Sequence, residues 1–228
     1  MTRPWHLGFG LVMTALAGYV DALGFIRLGG LYTSFMSGNT TQFAVHLGHG
    51  EPGGALLPAL LIAAFLLGGI CGGGFSALLP PRWGTPAILA FETVVVAAAF
   101  SAAVTTPTDH VASLLLALAM GAQNAVLAHV QGFRAGTTFV TGALFGFGQK
   151  LALALAGRGP RFAWMGDGFV WLSLLVGSLT GTIAYAELSL YALAIPAGLA
   201  GCLAVMATVL TMLHEPGAAQ RWPRTPDA

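Results

Sequence analysis

The sequence predicts an all-α integral membrane protein of about six transmembrane helices plus two re-entrant or broken helical segments, built as two inverted repeats. Three observations lead there. Of 228 residues, 56% are hydrophobic and only 7% charged, against about 25% charged in soluble domains, and the mean hydropathy is +0.80. Six stretches hold about 20 apolar residues, the length that crosses a hydrocarbon core of roughly 30 Å at 1.5 Å per residue. The chain also repeats itself in order. GYVDALGF from Gly18 and YTSFMSGNTTQ from Tyr32 return as GAQNAV from Gly121 and TTFVTGALFGFGQK from Thr137, which aligns Asp21 with Asn124, Ser37 with Thr141 and Gly38 with Gly142. A third anchor pairs Gly68 and Gly72 with Gly177 and Gly181, each a G-x-x-x-G, the small-residue spacing that lets helix backbones approach in lipid. Three anchors in one order mark an internal duplication.

Taken in order, residues 1–228 form a single membrane domain. Repeat one covers 7–106, repeat two 111–213, and 214–228, with Pro216, Pro223 and Pro226, reads as a disordered cytoplasmic tail. The first span, 7–27, contains Ala15-x-Ala17, the form of a signal-peptide cleavage site. It also carries the anchor that Gly121 and Asn124 repeat, so it is expected to stay as the first membrane helix. The other spans are 55–79, 86–106, 111–131, 168–186 and 189–213, with Pro52, Pro80, Pro81, Pro107 and Pro160 in or beside the connections. Segments 33–49 and 137–156 open with hydroxyl residues and glycine before turning apolar, and either cross or dip in and return.

Counting Lys and Arg by side separates these alternatives, since short cytoplasmic loops are enriched in them. If both segments cross, one side holds Arg3, Arg158, Arg161, Arg221 and Arg224, the other Arg27, Arg82 and Arg134, and Lys150 is left in the membrane. If both are re-entrant, Arg3, Arg82, Arg134, Lys150, Arg158, Arg161, Arg221 and Arg224 gather on one side and only Arg27 on the other. The six-span reading is preferred for that bias. It makes both termini cytoplasmic and gives the halves opposite orientation, an arrangement with broken helices that recurs in transporters.

A net charge of +1 with no basic run gives no field for nucleic acid. Cys71 and Cys202 lie in apolar stretches and read as packing residues. No H-E-x-x-H, G-x-S-x-G or P-loop pattern is present, so no enzyme activity and no cofactor are expected. His46 and His49 share a helix face without an evident third ligand, so no metal site is expected either.

What remains is polar chemistry inside apolar spans. An ionised Asp21 within a span costs several kcal/mol unless compensated. It reads as a proton or cation site facing a watery cavity, as a carboxylate near a membrane face, or as one that accepts backbone hydrogen bonds capping a broken helix. Ser37, Gly38, Asn39, Thr40, Thr41 and Gln42 form a run too polar to face lipid. They either coordinate a solute or satisfy the freed backbone of a buried turn. The second half keeps Thr137, Thr138 and Thr141 but has Ala143 where Asn39 stands. Glu92 is either a buried neutral acid donating to a backbone carbonyl or a second carboxylate in a proton relay with Asp21. Gln123 and Asn124 read as hydrogen-bonding glue between helices, or as ligand contacts. Lys150 aligns with His46 and is expected to snorkel toward the cytoplasmic face.

GYVDALGF, FMSGNTTQ, MGAQNAV and TTFVTGAL together resemble the YoaK family, a domain family of unknown function (domain of unknown function 1275), over nearly the whole chain. The resemblance implies a bacterial multi-pass inner-membrane protein of about six spans and supplies no substrate.

The residues themselves lead to a small secondary transporter or permease for an unidentified solute. Asp21, Ser37, Asn39, Thr40, Thr41, Gln42, Gln123, Asn124, Thr138 and Thr141 would bind it, with Asp21 and Glu92 coupling protons and Gly68, Gly72, Gly177 and Gly181 packing helices. A channel-like facilitator, or a non-transporting protein that binds lipid or a partner helix, shares most of these features. The expected partners are the lipid bilayer and the solute, with a homodimer open to the glycine faces.

Overall fold

The computed structural model describes residues 4–105, 109–127 and 140–213. Among these, every regular element is helical. The α-helices are α1 (Pro4–Arg27), α2 (Met36–Gly48), α3 (Pro52–Leu78), α4 (Pro81–Thr105), α5 (Asp109–Leu127), α6 (Val140–Leu155), α7 (Met165–Leu188) and α8 (Ala194–Leu213), with a 3-10 segment at Ser189–Leu193 between the last two. Each expected span falls on a helix, although residues 128–131 of the span 111–131 lie outside the described residues and its described part, His110–Val126, is one of the shorter apolar helices. The last span begins as the 3-10 turn, after Ser189 at φ 52° ends α7. Leu7–Arg27, Pro52–Leu78, Pro81–Thr105 and the continuous stretch Met165–Leu213 are long and apolar enough to cross a membrane. The proposed tail, 214–228, lies outside the described residues.

Two boundaries moved for a physical reason. Pro81 opens α4 and Pro52 opens α3, where a missing N–H costs nothing, so each helix starts earlier than hydropathy alone suggests. Pro58 and Pro86 fall inside the second turns of these helices and are buried. The two ambiguous segments are short helices. With 13 and 16 residues, α2 and α6 reach about 20 and 24 Å at 1.5 Å per residue, less than a roughly 30 Å core.

The long helices interlock by their glycines. A side chain on Gly68 of α3 would overlap the Leu118 carbonyl oxygen of α5, and a Cβ on Gly72 would lie 2.8 Å from that of Ala122. On the other side of the molecule, Gly177 of α7 sits on the Ala15 carbonyl of α1, and a Cβ on Gly181 would lie 2.7 Å from the Tyr19 carbonyl oxygen. Gly121 faces the Phe65 carbonyl and Gly18 the Leu174 carbonyl. Under the sequence alignment, Ala15, Gly18, Tyr19 and Leu174 are the counterparts of Leu118, Gly121, Ala122 and Phe65. The two interfaces therefore match residue for residue.

These contacts also fix directions. α1 runs parallel to α7, since residues 15 and 19 meet 177 and 181 in turn. α3 runs parallel to α5: Leu57 and Leu61 cluster with Leu114 and Ala117, and farther along Phe75 clusters with Ala122 and Val126. α4 is antiparallel to α5, because Ile88 and Leu89 share a cluster with Ala122 and Val126 while Ala99 and Ala103 share one with Ala112 and Leu116. It is antiparallel to α8 as well, where the Thr211 hydroxyl donates to the Arg82 carbonyl at 3.3 Å. α2 packs on α3 and α6 on α7, outside this six-helix core. Leu66, Leu67 and Ile70 of α3, and Leu175, Leu179 and Ile183 of α7, point outward, as lipid-facing side chains do.

Candidate functional site

α1 ends at Gly29 and Gly30, both at positive φ, and the chain then turns back along its own helix. Gly24 admits this return, because a Cβ there would lie 2.7 Å from the Thr33 methyl. Residues 33 and 34 thereby reach Asp21. Its Oδ1 accepts from the Thr33 N–H (2.9 Å), the Thr33 hydroxyl (3.1 Å) and the Ser34 N–H (2.6 Å), and its Oδ2 accepts from the Ser34 hydroxyl (2.5 Å). The carboxylate thus compensates its burial with four donors, two of them from backbone left free by the broken helix. These hydrogen bonds are those of a carboxylate that caps a broken helix.

Asn39 clamps the same turn from the other side. Fully buried, it accepts from the Tyr32 N–H at 2.9 Å and donates to the Tyr32 carbonyl at 2.7 Å, with a further contact to Met36 Sδ at 3.5 Å. Helical spacing sends its neighbours in the polar run elsewhere. Ser37, Thr40, Thr41 and Gln42 are exposed, and the Thr40 and Thr41 hydroxyls return to the carbonyls of Met36 and Ser37 on their own helix.

Beside Asp21 opens a cavity of about 530 Å³, within the 300–1,000 Å³ range of small-molecule sites. It lies between α1, the turn before α2, the start of α6 and the middle of α7. Its polar lining is Asp21, Ser34, Thr141, Ser178 and Thr182, and its aromatic walls are Phe25, Tyr32, Phe35 and Trp171. Of the residues named from sequence, Asp21 and Thr141 meet here. Ser34, Ser178, Thr182 and Trp171 were missed; Ser34 stood next to Thr33 in the repeated motif, and the α7 residues carried no signal of their own.

The remaining candidates are dispersed. Gln42 lines a second cavity, about 460 Å³, with His46, His110 and residues 28–31. Gln123 is fully buried and donates from Nε2 to the Met13 carbonyl at 2.8 Å, tying α5 to α1. Asn124 donates to Met120 of its own helix at 2.9 Å. Thr138, with Thr137, lies outside the described residues. Glu92 is fully buried in α4, and neither carboxyl oxygen has a hydrogen-bond partner among the described residues.

Each half-helix is tied to the next long helix by a polar side-chain pair. His46 Nδ1 lies 2.9 Å from Glu51 at the start of α3, and Lys150 Nζ lies 2.5 Å from Asp167 in the first turn of α7. Lys150 pairs with Asp167, for whose carboxylate Gly146 leaves room one turn away. Among the described residues no three His, Cys, Asp or Glu side chains gather as metal ligands.

The family described as "Protein of unknown function (DUF1275)" matches residues 9–206. The chain belongs to the DUF1275 family. This DUF1275 protein is also 33% identical over 197 residues to a UPF0700 transmembrane protein of Rhizobium meliloti (strain 1021), an alignment covering 85% of this chain and 83% of that one. No solved structure matches it. It is a transmembrane protein, and the family brings no activity with it.

Proposed function

We propose that the chain is a small secondary transporter or permease, not an enzyme, whose solute binds in the cavity beside Asp21. The carrying observation is that both half-helices begin at this one cavity: Ser34 and Phe35 lead into α2, Val140 and Thr141 open α6, and the Asp21 carboxylate lies between them. Convergence of broken helices from two halves is the form in which inverted-repeat transporters build their sites. Opposite orientation of the halves is supported by the helix directions, since α1 runs antiparallel to its counterpart α5, α3 to α7 and α4 to α8. The Lys and Arg bias adds an inner-membrane placement with both termini cytoplasmic.

The lining suggests the class of solute, a small molecule with an aromatic or aliphatic body and hydrogen-bonding groups at one end. Four aromatic rings would hold the body, and the hydroxyls of Thr141, Ser178 and Thr182 the polar end. The test is thermal unfolding of detergent-purified protein against a metabolite panel, with uptake into proteoliposomes for each hit. A ligand at about 100 times its Kd adds roughly 2.7 kcal/mol to the native state. Thr141→Leu fills the cavity without touching the donors on Asp21, so it should remove that stabilisation and the uptake. Hits that stabilise wild type and variant alike would place the site elsewhere.

A channel-like facilitator is favoured by one observation, the four donors that hold Asp21 in the turn, a structural role that requires no titration of the carboxylate. Uptake of a hit unchanged by a pH gradient would select it.

A further inference from the structure

Asp21 is accounted for by its four donors, whereas Glu92 is not. It lies on the α4 face between Leu89, in the cluster around Met13, Ala122 and Val126, and Val96, in the cluster around Leu16, Ala119 and Met120. On α5, Gln123 falls between the same two clusters. Both side chains are fully buried at the junction where α1, α4 and α5 meet. The amide of Gln123 is oriented by its Nε2, which the Met13 carbonyl holds, and this leaves Gln123 Oε1 buried without a partner among the described residues, as are both Glu92 oxygens. Three buried acceptors, two on α4 and one on α5, thus sit on helix faces that pack into the same two clusters, and none has a donor among the described residues. Buried polar atoms are otherwise almost always paired, since each orphan costs about 1–3 kcal/mol.

We infer that Glu92 and Gln123 form an occluded proton-binding site, in which a proton on the Glu92 carboxyl supplies the missing donor and the acid hydrogen-bonds to Gln123 Oε1 across the α4–α5 interface. Binding converts the carboxylate to the carboxylic acid; release returns the proton to water and requires the apolar junction to open to solvent. Among the described residues no charged side chain pairs with Glu92. The titratable residues of its own and the packed elements are Arg82 in the first turn of α4, Cys71 on α3, Asp109 and His110 at the first turn of α5, Tyr191 on the 3-10 segment and Cys202 on α8, with His6, Tyr19, Asp21 and Arg27 on α1. The Tyr19 hydroxyl is engaged with the Ala192 carbonyl at 2.9 Å, and Asp21 with residues 33 and 34. Use of this site to couple protons to solute rests on the transport reading; its existence does not.

Infrared spectroscopy of the full-length protein in lipid nanodiscs at neutral pH reads the site directly. Wild type should show the carbonyl stretch of a protonated, hydrogen-bonded carboxylic acid, and Glu92→Gln should lose it. Gln123→Leu should keep the band but move it to higher frequency, as an acid does on losing its acceptor. A wild-type spectrum without the band, or a band that survives Glu92→Gln, overturns the assignment. If Glu92→Gln does not fold, Gln123→Leu decides alone, and an unshifted band overturns the pairing. A band that behaves as expected in a protein with no solute uptake keeps this site and removes the transport reading. Uptake with no acid band does the reverse.

Discussion

The two halves of the molecule are alike in their packing and unlike in their polar chemistry. α3 meets α5 and α7 meets α1 through the same glycines on equivalent carbonyls, yet Asp21 faces Asn124 across the alignment, Asn39 faces Ala143 and His46 faces Lys150. Backbone contact tolerates no change once glycine is needed, because any Cβ meets a main-chain atom. A polar side chain can be replaced whenever its partners find another donor or acceptor. The likeness of the two halves therefore lies in the interface and not in the polar site.

The heaviest blow to this comparison is a leucine in either interlock. Gly68→Leu and Gly177→Leu should each cost about 3 kcal/mol or more, the upper range for overpacking. Loss of the monodisperse folded peak in size-exclusion chromatography would show it. Equal losses sharpen the equivalence of the two interfaces, and a tolerated leucine in one half breaks it.

Next comes Asp21→Ala, which strands two backbone N–H groups and two hydroxyls and should cost about 3 kcal/mol at 1–3 kcal/mol for a lost charged acceptor's donors. Asp21→Asn keeps one acceptor oxygen and should cost about half as much, read as a smaller fall in Tm. A carboxylate that merely titrates, without anchoring the turn, would give two variants of equal stability. Asn39→Ala removes both braces on Tyr32 and should cost about 2 kcal/mol. The smallest effect belongs to the polar latches. Lys150→Gln and His46→Gln remove partly exposed pairs, and each should cost about 1 kcal/mol or less, with the Lys150 effect declining as salt is added.

The six long helices were legible because apolar length and proline placement decide them locally. So were the interlocking glycines, although not their partners: nothing in the chain tells Gly68 that Leu118 lies opposite, since that contact spans the two repeats. The polar run was read too coarsely as one cluster. Helical periodicity turns Asn39 inward and Ser37, Thr40 and Thr41 outward, a separation that spacing alone could have suggested. The donors on Asp21 come from a turn whose reversal depends on Gly24, Gly29 and Gly30 acting together. Glu92 was visible as an acid in a span, but its lack of any partner is a property of packing that composition does not carry.

The reciprocal interlock also sets a schedule for assembly. Gly18 of α1 and Ser178 of α7, which donates to its carbonyl at 3.1 Å, are 160 residues apart. At the roughly 5–20 residues per second of synthesis, the ribosome takes about 8–30 s to deliver that partner. Throughout this interval α1 is in the bilayer with its small-residue groove bare, while α3 waits a shorter time for α5. Neither half can complete its own interior before the other has been made, so a nascent chain halted after α4 should be a substrate for quality control, not a stable half-protein.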